Sequence, residues 1–221
     1  MLKIRITILT TFLFSILGSA ETVAIAGDST VATYSSSSAK QGWGASFSKF
    51  LTTKLSVKNF AKGGRTTKSF RSEGLWKNLM NAKANFVFIQ FAHNDSGSTR
   101  HVPLKEYRAN LVAFAKEVLA KKGEPYFVTP PHRCRFSNGK PSNEMGEYVN
   151  AMKSAAAELD IQVLDLYKKS GEFLQKSGSK ACKEYFVSGD TTHFNRKGSE
   201  KMASLVAEEA KLDALLAKFI K

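Results

Sequence analysis

Short apolar runs, rich in β-branched and aromatic residues, alternate with amphipathic segments along nearly the whole chain. The apolar runs have almost no polar interruptions, which is typical of strands covered on both faces. They occupy residues 22–26, 57–60, 86–91, 126–129 and 162–166, and amphipathic segments lie between them at residues 44–55, 72–82, 103–122 and 142–159. A last segment, residues 196–219, has apolar residues at helical spacing. Five strands with four intervening helices predict a doubly wound parallel α/β sheet, whose ligands bind beyond the carboxyl ends of the strands.

The length and composition of the chain suit a single folded domain preceded by an export signal. Of the 221 residues, 43% are hydrophobic, which is enough for a packed core. Residues 1–20 have the order of a secretory signal peptide, because two basic residues precede the apolar residues 6–17 and a small-residue stretch ends at Ala20. The alternative is a buried first strand or helix. We expect cleavage after Ala20, which leaves residues 21–221 as one domain in the periplasm or outside the cell.

The chain is strongly basic, and this limits the partners that it is expected to bind. Lys and Arg number 33 against 19 Asp and Glu, for a formal charge of +14. The basic residues are scattered and form no nucleic-acid motif, and an export signal also argues against nucleic acid. A solvated surface and attraction to an acidic substrate both stay open. No internal stretch of sequence is apolar enough to span a membrane, so we expect no membrane partner after cleavage, and a monomer.

The cysteines and histidines favour a disulfide bond over a metal site. Cys134 and Cys182 are the two cysteines, and an even pair in an exported protein predicts one disulfide bond. Two free buried thiols are the alternative. The four histidines have no metal-binding spacing, and the sequence has no Cys-x-x-Cys. We therefore expect no metal and no other cofactor.

A serine near the start and an Asp-x-x-His pair near the end have the residue types of a catalytic triad. Ser29 follows the first predicted strand, where a strand-to-helix turn can expose its hydroxyl at the sheet edge. Asp190 and His193 share one turn, so the carboxylate can orient the imidazole while the other ring nitrogen faces the serine. Ordinary turns and a surface histidine are the alternatives. The combination predicts Ser29 as nucleophile, Asp190 as orienting group and His193 as general base and acid.

Two further segments can supply hydrogen-bond donors to an oxyanion. Gly63 and Gly64 follow the second predicted strand, and glycine lets the backbone approach a ligand. Asn94, between His93 and Asp95, follows the third strand, and a side-chain amide is a good oxyanion donor. A plain turn and a helix cap are the alternatives for these two segments.

Taken in order, the four segments resemble the four blocks of the SGNH or GDSL hydrolase superfamily. The blocks match residues 27–30, Gly64, Asn94 and residues 190–193. The resemblance implies a three-layer α/β/α sandwich with a five-stranded parallel sheet, the flavodoxin-like fold of that superfamily. It also implies that the oxyanion donors are the Ser29 N–H, the Gly64 N–H and the Asn94 side chain.

A closer resemblance, to the rhamnogalacturonan acetylesterase family, runs from about Thr22 to the last helix. It rests on Ala-Gly-Asp-Ser-Thr at 26–30, Gln-Gly-Trp-Gly at 41–44, Asn-Phe-Ala at 59–61 with Gly-Arg-Thr at 64–66, Phe-Ala-His-Asn-Asp at 91–95, Thr-Pro-Pro at 129–131 followed by Arg-Cys-Arg-Phe at 133–136, and Asp-Thr-Thr-His-Phe-Asn at 190–195. The resemblance implies a secreted serine esterase that removes acetyl groups from the pectic backbone. Ala92 departs from it, because the family has glycine before His-Asn-Asp; this puts rate and acyl size in question.

Five residues are candidates for substrate binding. Trp43 can be a sugar platform, although packing in the core explains a tryptophan between two glycines equally well. The basic residues Arg65, His132, Arg133 and Arg135 lie in loops near the predicted site. They can bind a galacturonate carboxylate, and solvated surface residues are the alternative.

Other functions stay open at this point. The same family includes esterases of other glycans, such as acetylxylan, and the superfamily includes lipid esterases, thioesterases and lysophospholipases. Loops rich in Arg, His and Tyr rather than Leu and Ile favour a sugar substrate over a lipid. A non-catalytic carbohydrate-binding module is the alternative from another class. Its mark would be a missing triad residue, and all three are present.

Overall fold

Five parallel strands form the central sheet of the protein. The computed structural model describes residues 20–221, so the predicted signal peptide, apart from Ala20, lies outside the described residues. The strands are β1 (Glu21–Gly27), β2 (Leu55–Asn59), β3 (Phe86–Gln90), β4 (Glu124–Val128), β5 (Phe136–Ser137), β6 (Lys140–Pro141) and β7 (Gln162–Leu164). All except β5 and β6 belong to the sheet, in the order β2-β1-β3-β4-β7, and every pairing within it is parallel.

Helices cover both faces of the sheet. They are α1 (Trp43–Ser46), α2 (Thr67–Ser72), α3 (Leu75–Asn81), α4 (Leu104–Ala120), α5 (Gly146–Leu159), α6 (Leu166–Cys182) and α7 (Arg196–Ala210). In β1, Val23 and Ile25 belong to the apolar cluster under α1, α6 and α7, whereas Ala24 and Ala26 belong to the cluster under α2 to α5. The two clusters make the three layers of an α/β/α sandwich, which confirms the predicted fold class.

Helix α6 is the main element that was not predicted from the sequence. Its buried residues Leu166, Ser170 and Leu174 form a narrow stripe at four-residue spacing, and most of the remainder is Lys, Gly or Ser. The Asp165 side chain accepts a hydrogen bond from the Lys168 N–H and caps the helix. Gly178, at φ 78°, interrupts the helical conformation near the end. Leu166, Phe173 and Leu174 nevertheless recur at helical spacing, so the pattern of an amphipathic helix is present in the sequence and was missed.

The predicted helix at residues 44–55 is replaced by a shorter one. Helix α1 is followed by a 3₁₀ turn over Phe47–Phe50, and β2 then begins. Leu51 forms an isolated antiparallel bridge with Ile220, and the Thr52 N–H donates to the Phe219 carbonyl. Pairing with the C-terminal residues therefore draws this segment out of the helical conformation.

The last helix also ends earlier than predicted, at Ala210 instead of residue 219. The Asp213 carboxylate accepts hydrogen bonds from the Leu215 and Leu216 N–H groups, each at 3.0 Å. Such local side-chain bonds offer the backbone an alternative to the helix. A short 3₁₀ turn, Ala217–Phe219, follows.

The loop at residues 133–143 contains the β5–β6 hairpin. Asn138 and Gly139 connect the two strands with φ values of 50° and 73°. Two successive positive φ values are the mark of a type I′ turn, for which Asn-Gly is the favoured sequence.

The strand order places a crevice where three loops meet. Strand β1 lies between β2 and β3, so the chain leaves β1 toward one side and later returns to the other. Ligands in doubly wound sheets bind at such a reversal, beyond the carboxyl ends of the strands.

Candidate active site

The predicted site residues gather at this crevice. Ser29 comes just after β1, Gly64 lies in the loop after β2, and Asn94 lies in the loop after β3. His193 reaches them from the loop before α7. The carboxyl edge of the sheet thus brings together the four segments singled out in the sequence.

Ser29, His193 and Asp190 form a continuous chain of hydrogen bonds. The Ser29 Oγ lies 3.1 Å from the His193 Nε2, and the His193 Nδ1 lies 2.6 Å from the Asp190 Oδ2. The Asp190 Oδ1 also accepts from the backbone N–H groups of Thr192, at 2.7 Å, and of His193, at 3.1 Å. With one ring nitrogen bound to the carboxylate, the other is free to take a proton from the serine.

The environment keeps the Asp190 carboxyl ionised. Burial alone would raise its pKa, but the hydrogen bonds from the Thr192 N–H and from His193 outweigh burial and hold the pKa at about 2. An ionised carboxylate fixes the proton of His193 on Nδ1, so Nε2 faces Ser29 as an acceptor.

Backbone contacts hold the loop that carries Asp190 and His193. The Val187 N–H donates to the His193 carbonyl at 2.9 Å, and the Cys134 N–H donates to the Thr191 carbonyl at 2.7 Å. Cys134 is joined to Cys182 by a disulfide bond, with the two Cα atoms 5.9 Å apart. The disulfide bond therefore anchors Cys134, whose backbone N–H holds the loop that carries Asp190 and His193.

Three hydrogen-bond donors line the site beside Ser29. Among residues 20–221, neither the Ser29 N–H nor the Gly64 N–H has an acceptor. The Asn94 Nδ2 donates to the Arg65 carbonyl at 3.0 Å, which uses one amide hydrogen and fixes the direction of the second. Gly64 has φ 79°, a conformation that glycine adopts without strain. A Cβ at Gly63 would lie 3.6 Å from the Ser29 Cβ, so this loop touches the serine directly.

A buried chain of hydrogen bonds supports the turn that carries Asp28, Ser29 and Thr30. The Trp43 Nε1 donates to the Gln90 Oε1 at 2.7 Å, and the Gln90 Nε2 donates to the Thr30 Oγ1 at 2.8 Å. The Thr30 Oγ1 and N–H both donate to the Asp28 Oδ1, at 2.7 and 2.9 Å. Trp43 is fully buried, so its predicted role as a sugar platform is wrong; its indole packs in the core and positions the turn.

Asp95 ties the Asn94 loop to the start of α2. Its Oδ1 accepts from the Thr67 N–H at 2.9 Å and from the Thr67 Oγ1 at 2.6 Å. Burial raises the pKa of Asp95 to about 6, although the Thr67 hydrogen bonds act in the opposite direction.

Ala92, the departure from the family pattern, has an unusual backbone conformation. Its φ is 146°, in the region that favours glycine, and its side chain is fully buried. The methyl group belongs to the apolar cluster under α2 to α5. It therefore packs in the core, and its effect falls on the backbone before His93 and Asn94.

The three candidate arginines lie beside the site, but each is already paired. Arg65 donates to the Glu73 carboxylate from Nε at 2.9 Å and from Nη2 at 2.7 Å. Arg133 and Arg135 share the Glu144 carboxylate, at 3.7 and 3.2 Å. A substrate carboxylate would have to compete with these acidic partners.

His132 does not face the site, so its predicted role in carboxylate binding is wrong. The ring stacks on Tyr167 with centroids 3.8 Å apart, and its Nδ1 lies 3.0 Å from the Ser142 carbonyl. Only 8% of the residue is exposed. Its role is to join the hairpin loop to α6.

Two residues beside the site were missed in the sequence. The Tyr34 hydroxyl donates to the Ser29 carbonyl at 3.4 Å. The Arg100 guanidinium lies over Gly64, 3.7 Å from the position that a Cβ would take there. Both lie in polar loops, where single aromatic and basic residues are common, so no sequence pattern marks them.

Residues 20–221 contain no group of three or more His, Cys, Asp or Glu side chains arranged to hold a metal ion. Over the same residues, no helix combines the length and hydrophobicity needed to cross a membrane.

A doubly wound parallel sheet with a hydrogen-bonded serine, histidine and aspartate at its carboxyl edge defines a class, the SGNH-type α/β hydrolases. The chain belongs to the GDSL-like lipase/acylhydrolase family, whose sequence profile matches residues 23–206. The resemblance found in the sequence is thereby confirmed, and the protein is a carboxylic ester hydrolase.

Curated relatives and a solved structure show which members of the family the chain resembles. The chain is 36% identical to the rhamnogalacturonan acetylesterase RhgT of Bacillus subtilis, over 84% of this chain and 88% of that protein. It is 34% identical to the same organism's "Probable rhamnogalacturonan acetylesterase YesY", over 85% and 91%. The crystal structure of the Bacillus subtilis protein YxiM superposes with a TM-score of 0.81 at 26% identity, covering 87% of this chain and 56% of that one. The protein is therefore a hydrolase similar to rhamnogalacturonan acetylesterases.

Proposed function

We propose that the protein removes O-acetyl groups from acetylated rhamnogalacturonan, with Ser29, His193 and Asp190 as its catalytic triad. The observation that carries the proposal is the hydrogen-bonded chain from the Ser29 Oγ through His193 to Asp190. It lies next to three N–H donors that suit an oxyanion. A non-catalytic sugar-binding module has no use for this arrangement.

In the first step, the Ser29 Oγ attacks the carbonyl carbon of the acetyl ester and its proton passes to the His193 Nε2. The negative charge that develops on the carbonyl oxygen is bound by the Ser29 N–H, the Gly64 N–H and the Asn94 amide. The intermediate collapses as the bond to the sugar oxygen breaks. His193 returns its proton to that oxygen, which leaves an acetyl group on Ser29.

In the second step, a water molecule attacks the acetyl-enzyme. His193 takes a proton from the water, and the same three donors bind the second oxyanion. The bond to the Ser29 Oγ then breaks, the serine regains a proton from His193, and acetate leaves. Asp190 stays ionised throughout and stabilises the imidazolium that forms in each half of the reaction.

The choice of substrate is supported by the relatives and by charge. Two relatives above 30% identity carry the name rhamnogalacturonan acetylesterase. A formal charge of +14, or +12 once Lys3 and Arg5 are removed with residues 1–20, raises the local concentration of an acidic polysaccharide near the protein. Neutral acetylated xylan lacks that attraction.

Acetate release from a substrate panel tests the proposal. Wild type should release acetate faster from acetylated rhamnogalacturonan than from acetylxylan, and should hydrolyse nitrophenyl acetate faster than a long-chain nitrophenyl ester. Ser29→Ala should lower turnover by about three to six orders of magnitude, while the exposed-loop control Ser35→Ala should match wild type. Preference for acetylxylan would replace the pectic substrate, and preference for long acyl chains would favour a lipid esterase.

We further propose that residues 1–20 are a signal peptide and that residues 21–221 act as one monomeric hydrolase domain in the periplasm or outside the cell. The charged, apolar and small-residue order of the N-terminus supports export. The Cys134–Cys182 disulfide suits an oxidising compartment. N-terminal sequencing of the exported protein should give Glu21 first, and a retained Met1 would contradict cleavage.

A further inference from the structure

A groove runs beside the oxyanion glycine on the side that the triad does not occupy. It has a volume of about 440 Å³ and lies between the loop carrying Gly63, Gly64 and Arg65 and the segment carrying Arg100 and His101. This volume falls within the range of roughly 300–1,000 Å³ that is typical of small-ligand sites. Gly63 lines the groove and also adjoins Ser29, so a chain bound by its acetyl group at Ser29 can extend into the groove.

The groove is basic, and most of its cations have acidic partners. Arg65 is paired with Glu73, and the Lys68 Nζ lies 3.2 Å from a Glu106 carboxylate oxygen. Arg100 differs from both: within residues 20–221 its guanidinium makes no ion pair and no hydrogen bond, and the side chain is exposed. Its five N–H donors are free to bind a ligand.

The structure holds this arginine beside the site. The Cζ and Nη2 of Arg100 both lie 3.7 Å, and Nε 3.9 Å, from the position of a Cβ on Gly64. Three nearly equal distances mean that one face of the planar guanidinium lies over the glycine, so its N–H groups, which lie in the guanidinium plane, are not directed at Gly64. Next in the chain, the Val102 N–H donates to the Asp95 carbonyl at 2.9 Å, and the Tyr148 hydroxyl donates to the Val102 carbonyl at 2.8 Å.

We propose that this groove is a subsite for an acidic sugar, in which the Arg100 guanidinium binds the carboxylate of a uronate residue near the acetylated sugar. The inference rests on the proposed function and adds the residue that selects an acidic chain. A guanidinium matches a carboxylate with two parallel N–H···O bonds, which a lysine cannot reproduce. Arg100 lies over the position that a Cβ would take on Gly64, and the Gly64 N–H has no acceptor among residues 20–221, so Arg100 is a specificity-determining residue and not a catalytic one.

Arg100→Ala, Arg100→Lys and the control Lys121→Ala test the subsite. Lys121 is equally exposed but precedes β4, at the opposite edge of the sheet, so its loss removes the same charge far from the groove. The substrates are acetylated rhamnogalacturonan oligosaccharides with free carboxylates and the same oligosaccharides with methyl-esterified carboxyls. The readout is the ratio of kcat/KM on the free acid to kcat/KM on the methyl ester. Binding of the deacetylated free-acid oligosaccharide to each variant in a Ser29→Ala background, by calorimetry, is the readout that needs no turnover.

Arg100→Ala should lower the kcat/KM ratio about 10-fold through KM, because a hydrogen-bonded charge pair formed equally in the substrate complex and the transition state affects binding alone. Arg100→Lys should fall between Ala and wild type, and Lys121→Ala should keep the wild-type ratio. Equal ratios in Arg100→Ala and Lys121→Ala, with equal calorimetric affinities, would overturn the subsite. Wild type that releases no acetate from either oligosaccharide would overturn the proposed function, and in that case the calorimetric comparison alone decides on the subsite.

Discussion

The His93 Nδ1 lies 3.7 Å from the Asp28 Oδ2 in the interior behind Ser29. Among residues 20–221 neither atom has a hydrogen-bond partner. Burial, with the positive charge of Arg133, lowers the pKa of His93 to about 3, and burial raises the pKa of Asp28. Both shifts favour the uncharged forms of the two groups, which lie between the serine turn and the Asn94 loop.

The lowered pKa of His93 makes the protein acid-sensitive. A folded-state pKa below the unfolded value means that His93 stabilises the fold fully above about pH 6.5, and that this stabilisation is lost as pH falls toward 3. Between pH 7 and 4.5 wild type should therefore lose about 2–3 kcal/mol more unfolding free energy than His93→Gln. Urea unfolding at both pH values measures this. His101→Gln, at an exposed position, should behave as wild type, and equal losses in His93→Gln and wild type would contradict the prediction.

The low pKa of Asp190, about 2, fixes the shape of the pH profile. Asp190 stays ionised from pH 4 to 8, so its protonation should contribute nothing to the fall of kcat/KM on acidification in that range. A plot of log kcat/KM against pH measures this, and an inflection between pH 4 and 8 that disappears in Asp190→Asn would contradict it. Asp190→Asn should cost less than His193→Ala, because in the proposed mechanism Asp190 orients the ring and His193 moves the proton.

Asn94 should act on the transition state rather than on substrate binding. Asn94→Ala should lower kcat by about 10²–10³ with little change in KM, because in the proposed mechanism the amide hydrogen that Arg65 leaves free binds the developing oxyanion. Asn94→Asp removes both donors and adds a negative charge, so it should cost at least as much. The exposed Asn81→Ala is the control. A change confined to KM would instead make Asn94 a substrate-binding residue.

Ala92→Gly should stabilise the protein, which is rare for a buried alanine. At φ 146° the backbone of the alanine is strained, and glycine relieves that strain. The relief should outweigh the lost methyl contact and the added freedom of the unfolded chain, so the unfolding free energy should rise by about 1 kcal/mol. Ala24→Gly, equally buried but in the regular strand β1, should lose about 1 kcal/mol. Thermal unfolding of the pair is the measurement, and a loss in both would show that Ala92 is unstrained.

The disulfide should support both stability and activity. Replacing Cys134 and Cys182 together by serine should lower the unfolding free energy by about 4 kcal/mol, from the loop that the bond closes. Turnover should also fall, since the Cys134 N–H holds the Thr191 carbonyl beside Asp190. Urea titration and kcat of the double variant, with reduced wild type as a second sample, test the two effects separately. Full turnover in both samples would mean that the disulfide bond does not affect the active site.

The parts of the protein that depend on local pattern were predictable from sequence. The five strands of the sheet were predicted because nearly unbroken apolar runs of this length are typical of buried strands. Ser29, Gly64, Asn94 and His193 were singled out because each follows a predicted strand or precedes a predicted helix. The fold class follows from the same alternation.

What depends on distant contacts was not predictable. Trp43 looks the same in sequence whether it packs in the core or faces a sugar, and only its bond to Gln90 decides. The sequence could not show whether the candidate arginines are free to bind a substrate, because the fold brings their partners Glu73 and Glu144 to them. Arg100 stands out only once its neighbours are known.

The hairpin and the disulfide bond together bear on what a proteolytic cut does to the protein. The exposed tip at Asn138 and Gly139 lies between Cys134 and Cys182 in the chain, and exposed loop tips are preferred sites of cleavage. A single cut there puts Ser29 on one fragment and His193 on the other. The disulfide bond still joins the two pieces, so a nicked enzyme keeps its nucleophile and its base in one covalent unit until a reductant releases them.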